Sequence, residues 1–293
     1  MTSTSFTNPY DQPSLLRRVA MPILYGMHRI LPYRVYESIY HPAFASYKWL
    51  LRAAYRREIA AAHRRGDMPQ VTCKQRVHSV MKYSLVGAAG LEHTHQLAMG
   101  VIQQQVPGAF VECGVAQGGC AALIALVAAG EGANRPCWFF DSYEGLPDPT
   151  ESDFAGGKTG HHIRPLPRGS CLGTYEQVSR LLFETFRLER KLIHLVKGWF
   201  QDSLPVTKAS IGPIALLRID GDWYESTKCC LDELYPQVSP GGQVIIDDYC
   251  SCFGARKATD EFQARHRIQA PLVPDGRGGA SFQKPGAARS HAA

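Results

Sequence analysis

From residue 109 onward the chain repeats one pattern: a short apolar run, a stop at an acid or a glycine, then a helical stretch. "GAFVECG" stops at Glu112-Cys113-Gly114, "RPCWFFDSY" at Asp141 and "KLIHLVKGWF" at Gly198-Trp199. "PIALLRIDGD" stops at Asp220 and "GGQVIIDDY" at Asp247-Asp248. Short apolar runs alternating with helices specify buried parallel strands joined by crossover helices. The fold class is therefore α/β, a mostly parallel sheet with helices on both faces. In such a sheet, ligands bind beyond the carboxyl ends of the strands, so all these stops face one crevice.

Two of the stops are electrostatically odd. In "LRIDGDWYEST" a run that is apolar except for Arg218 ends in Asp220-Gly221-Asp222, and the next run ends in Asp247-Asp248. Carboxylates this close repel one another unless a positive group lies between them. The two runs are joined by one helix, "YESTKCCLDELYPQV", and a Pro240-Gly241-Gly242 turn. Consecutive strands of this kind are usually neighbours, which brings Asp220, Asp247 and Asp248 to one spot. An all-oxygen set of that density suits Mg²⁺. No nitrogen or sulfur ligand is evident nearby in sequence, which disfavours zinc. Asp222 lies past its strand end and can stay off the metal.

The other stops point to a nucleoside. Gly114 and Gly118-Gly119 let the backbone approach a ligand ahead of a helix starting near Gly119. The pattern acid-x-G-x-x-x-G-G is not the dinucleotide fingerprint and resembles the first motif of class I S-adenosylmethionine methyltransferases. Asp141 ends the second run, where an ionised acceptor can take two ribose hydroxyls. That feature is shared with nicotinamide enzymes. Asp141-Ser142 also opens a polar loop, "DSYEGLPDPTESDF", suited to lying over a ligand. Gly198, Trp199 and Phe200 end the third run, where an apolar wall for adenine would be useful.

Charge is divided unevenly. Residues 1–70 hold ten Lys/Arg and four Asp/Glu, so the net charge of +6 sits entirely on this arm. The arm either contacts an anionic substrate or membrane surface or is a solvated helical face. A neutral main domain excludes a nucleic-acid function. The helix in "SYKWLLRAAYRREIAAAHRRG" ends at Gly66, and Pro22, Pro32 and Pro42 interrupt the arm. Domain organisation is read as a basic helical extension (1–70), a catalytic domain (71–285) and a disordered tail (286–293). No run is long enough to span a bilayer, no secretory signal is evident, and nine cysteines without C-x-x-C spacing suit a cytoplasmic protein. His161-His162 reads as an exposed loop pair, His93 and His95 as separate helix faces, and Cys120 and Cys229-Cys230 as packed helix residues.

Taken together, "VECGVAQGG", "FFDSYEGLP", "KGWFQDSLP", "LRIDGDWYEST", "LYPQVSPGGQVIIDDY" and "GARKATDEFQARH" resemble the macrocin O-methyltransferase family, collinear from about Ser84 to Phe282. The resemblance implies a class I S-adenosyl-L-methionine methyltransferase of Rossmann-like fold with a seven-stranded sheet. It implies Mg²⁺ dependence and a sugar hydroxyl of a macrolide- or aminocoumarin-like molecule as acceptor. It further implies Asp220, Asp247 and Asp248 as metal ligands, Asp222 as general base, and a homodimer or higher oligomer. Donor contacts fall on Glu112, Gly114, Asp141, Ser142 and Gly198–Phe200. The chain departs from the family on the substrate side, at Ser84-Leu85 and Ala116-Gln117. Alternatives are a polysaccharide or catechol-like acceptor, or a non-catalytic donor-binding module with a membrane-associating arm.

Overall fold

The structure is a computed structural model that describes residues 30–31, 33–130, 133–154, 166 and 168–286. Every stop identified above ends a strand. The strands are β1 (Ala109–Cys113), β2 (Cys137–Asp141), β3 (Ile193–Lys197), β4 (Ile214–Ile219), β5 (Val238–Ile246), β6 (Val273–Pro274) and β7 (Ala280–Gln283). They form one seven-stranded sheet in the order β3-β2-β1-β4-β5-β7-β6. β1 to β5 pair in parallel, and β7 runs antiparallel to both β5 and β6. The order reverses between β1 and β4, which sets the ligand crevice at their carboxyl ends.

Alternation along the strands divides the core into two layers. Phe110, Phe139, Leu216 and Ile245 face one side, packed with residues of α2 (Met68–Val80), α3 (Ala88–Gln103) and α4 (Gly119–Ala129). Val111, Phe140, Leu217 and Val244 face the other, packed with α6 (Phe200–Ile211), α7 (Tyr224–Leu234) and α8 (Phe253–Arg265). Helix α5 (Tyr175–Arg180) starts in a capping box between Thr174 and Gln177. The central strands β1 and β4 are buried throughout, as strands covered on both faces must be.

The arm differs from its expected form. Helix α1 runs Tyr33–Arg64, through Pro42 rather than stopping there. A proline removes one rung of the hydrogen-bond ladder, and a helix this long keeps the rest. Gly66 (φ +71) ends it as expected. Helix α2 follows at once, opened by Asp67, whose side chain accepts from the Gln70 amide. Pro69 stands in its first turn, where the missing N–H costs no helical bond. The Pro240-Gly241-Gly242 segment is an irregularity inside β5 rather than a separate turn. Residues 1–29, 287–293 and His161-His162 lie outside the described residues.

Candidate active site

The carboxyl ends of β1, β2, β4 and β5 open into a cavity of about 620 Å³, within the range usual for a small-molecule site. Its wall includes Gly114, Asp141, Ser142, Trp199, Phe200, Asp220, Asp222, Asp247 and Asp248. The sequence-derived candidates are therefore largely brought together.

Two are set back. Glu112 is fully buried behind the wall, with Oε1 accepting from Arg218 Nη1 at 2.8 Å. Of the expected donor contacts, Glu112 thus stands off the cavity wall and pairs with a buried arginine. Gly198 (φ +149) forms the turn after β3, its amide donating to the Asp141 carbonyl at 2.9 Å, and so delivers Trp199 and Phe200 to the wall.

Gly114 has a specific reason to be glycine. Its φ is +94, and a Cβ there would lie 1.9 Å from the Asp220 carbonyl oxygen. The two strand ends can approach this closely only without a side chain. Asp141 lies across the crevice and organises the first turn. Its Oδ2 accepts from the Val115 and Ala116 amides at 2.7 and 2.9 Å, and its Oδ1 from Tyr143 at 2.6 Å. With three of roughly four acceptor positions taken, the carboxylate has room for about one further donor.

The acidic floor answers the electrostatic question with a residue the sequence reading noted but gave no role. Arg218, fully buried in β4, donates through Nη1 to Glu112 and to Asp220 Oδ2 at 2.9 Å, and its Nη2 forms an ion pair with Asp247 Oδ1 at 2.5 Å. Arg277 reaches Asp247 Oδ2 from the opposite side at 2.7 Å. It is carried by the β6–β7 turn, where Asp275 Oδ1 accepts from the amides of Arg277, Gly278 and Gly279. Burial opposes ionisation of Asp247, but the two guanidiniums outweigh it and hold the carboxyl below its usual range. Burial and neighbouring acids push Asp220 and Asp248 well up, and push Asp222 up to about 7. Five carboxylates thus share two guanidiniums, and the acids remain short of positive charge.

A cation fits that deficit. One ligand atom from each of Asp220, Asp247 and Asp248 lies within 4.8 Å of the others. Asp248 is 6 % exposed, accepts from Ser251 Oγ through Oδ1, and leaves Oδ2 with no hydrogen-bond partner. An orphaned buried carboxylate oxygen beside two more carboxylates is the donor set that hard cations take. Asp222 adopts φ +53, in the left-handed region that a non-glycine residue seldom occupies. Its Oδ1 accepts from the Cys252 thiol at 3.8 Å. Cys252 stands four residues beyond Asp248, so the expectation of no sulfur near the acids is corrected.

Further residues here escaped the sequence reading. Asp153 caps α7 by accepting from the Tyr224 amide at 2.6 Å, and Trp223 Nε1 donates to the Pro147 carbonyl at 3.2 Å. Both tie the loop after β2 across the mouth of the site. His93 and His95 part company as expected: His93 meets Ser281 Oγ at 2.9 Å and His95 meets Arg76 at 3.3 Å. Among the described residues no helix is long and apolar enough to cross a membrane.

Comparison with known proteins now adds a family. The profile for macrocin-O-methyltransferase (TylF) matches residues 20–284. The chain belongs to the macrocin O-methyltransferase family. It is 37 % identical over 203 residues to demethyldecarbamoylnovobiocin O-methyltransferase of Streptomyces niveus, covering 69 % of this chain and 76 % of the relative. It is 34 % identical over 198 residues to 8-demethyl-8-(2,3-dimethoxy-alpha-L-rhamnosyl)-tetracenomycin-C 4'-O-methyltransferase of Streptomyces olivaceus, covering 67 % and 74 %. The solved structure of the O-methyltransferase NovP superposes with a TM-score of 0.61 at 36 % identity, over 69 % of this chain and 82 % of that one. Membership makes this chain an S-adenosylmethionine-dependent O-methyltransferase with the class I α/β fold.

Proposed function

We infer that the chain methylates a sugar hydroxyl on a glycosylated small molecule of the macrolide or aminocoumarin kind, with Mg²⁺ in the acidic floor. The observation that carries this reading is the set of three aspartates, one oxygen of Asp248 unpartnered, in the same cavity as Asp141, Trp199 and Phe200. The acceptor class draws support from the names of the Streptomyces relatives, one of which specifies a rhamnosyl 4'-O-methylation.

S-adenosylmethionine, when bound, supplies an already activated methyl group. Mg²⁺, when bound, neutralises the acidic floor and acidifies a neighbouring hydroxyl. Asp220, Asp247 and Asp248 would hold the cation; Arg218 and Arg277 fix Asp247 in place. Asp141 and Ser142 would hold the ribose end of the donor, with the Gly114 backbone beside it and Trp199 and Phe200 against the adenine. Asp222 accepts the acceptor's hydroxyl proton on Oδ2, its Oδ1 being turned to Cys252. General-base assistance of this kind is typically worth about 10²–10⁴-fold. The loop after β2 excludes water, closed by the Asp153–Tyr224 and Trp223–Pro147 contacts. A homo-oligomer and a cytoplasmic setting belong to the same reading.

Methyl-labelled S-adenosylmethionine offered with a glycoside and with its aglycone tests the proposal. Label should pass to the glycoside alone, stop with EDTA and return with Mg²⁺. Transfer to the aglycone, or undiminished transfer in EDTA, would contradict it.

A further inference from the structure

The acidic floor contains a second set of donor atoms that overlaps the first. Asp222, Asp248 and the thiol of Cys252 place one oxygen, one oxygen and one sulfur within 4.8 Å of one another. Sulfur changes the chemistry of such a set: hard Mg²⁺ ignores it, whereas Zn²⁺ and similar borderline cations prefer it. The existing spacing suits them. In a tetrahedral zinc site with bonds of about 2.3 Å to sulfur and about 2.1 Å to oxygen, adjacent sulfur and oxygen ligands lie about 3.6 Å apart. Cys252 Sγ and Asp222 Oδ1 are 3.8 Å apart as they stand. Asp248 brings a second sign: it is 6 % exposed, and its Oδ2 accepts from no N–H, hydroxyl or thiol donor. Asp222 lines the open cavity, which leaves a fourth position for water or substrate oxygen.

We propose that Asp222, Asp248 and Cys252 form an inhibitory site for zinc-like cations. Binding replaces the proton of the Cys252 thiol with the metal, and that proton leaves to solvent. No electron changes hands. The inhibition rests on the roles proposed above, because zinc seated here takes both the base Asp222 and the magnesium ligand Asp248 out of service. The binding itself does not depend on those roles.

Zinc K-edge X-ray absorption on the wild-type protein with one equivalent of Zn²⁺ reads the site without any substitution. A mixed shell with one sulfur at about 2.3 Å and the remainder oxygen is expected; a shell with no sulfur overturns the proposal. Co²⁺ then assigns the sulfur: the thiolate-to-cobalt charge-transfer band should appear in wild type, vanish in Cys252→Ser and persist in Cys171→Ser and Cys229→Ser. A band that survives Cys252→Ser also overturns it. Inhibition of Mg²⁺-supported methyl transfer by Zn²⁺ should weaken by at least about tenfold in Cys252→Ser, since losing even a supporting contact of a metal site costs about 10–100-fold in affinity. If the sulfur signature is present but Mg²⁺ does not support turnover, the zinc site stands and the magnesium reading falls. If turnover needs Mg²⁺ and no sulfur binds zinc, the reverse holds.

Discussion

At the scale of single residues, Arg218 carries the most consequence. It is a charge within a fully buried strand, paired with Glu112, Asp220 and Asp247 at once. Removing one partner of a buried ionic network leaves the others uncompensated and costs about 3–5 kcal/mol. Arg218→Met should therefore lower the stability measured by urea denaturation by about that amount. Adding Glu112→Gln to it should recover part of the loss, because the two side chains share one interaction. Asp222→Asn should instead leave stability and donor affinity near wild type while turnover falls by about 10²–10⁴-fold; a near-normal rate would remove it as base. The sequence made the aspartates legible because each ends an apolar run. It also displayed Arg218 as the one charge in its run, but not its pairing with Glu112 and Asp247, which come from two other strands. Arg277 gave no sign at all, since a turn between two short strands says nothing about where its side chain will land.

At the scale of elements, the close approach of β1 and β4 sets the geometry of the floor. Gly114→Ala would push a methyl group into the Asp220 carbonyl at a backbone conformation alanine resists. It should destabilise the fold and weaken metal and donor together, which paired calorimetric titrations would register. Helices α2 and α3 make a different prediction. Burial first, then Arg76, holds His95 down to about 4. A histidine with a depressed folded value binds its proton in the unfolded chain first, so its contribution is full above about 6.5 and fades as pH falls toward about 4. His95→Gln should flatten the loss of stability across that window. The strands were legible because β1 to β5 are short apolar runs with clear stops. Helix α2 was not, because its apolar and polar residues follow no strong helical period and its burial comes from α1, α3 and α4 packing around it. The passage of α1 through Pro42 was equally hidden, since a local breaker can be overruled by the turns on either side.

At the scale of the whole molecule, sheet order joins two halves that the sequence presents separately: the donor side from β1 to β3 and the acidic side from β4 and β5. Their meeting at the β1–β4 reversal turns scattered aspartates into one cavity. Asp248 is a cleaner probe of the cation than Asp247, whose loss would also strand two arginines. Asp248→Asn should abolish Mn²⁺ binding seen by electron paramagnetic resonance while leaving donor affinity within a few-fold. The most direct test is a crystal structure with S-adenosylhomocysteine and Mn²⁺ bound together. The account predicts an anomalous manganese peak among Asp220, Asp247 and Asp248, with the sulfur of the spent donor facing it across the cavity. Manganese bound elsewhere, or a donor sulfur turned away from those aspartates, would contradict it.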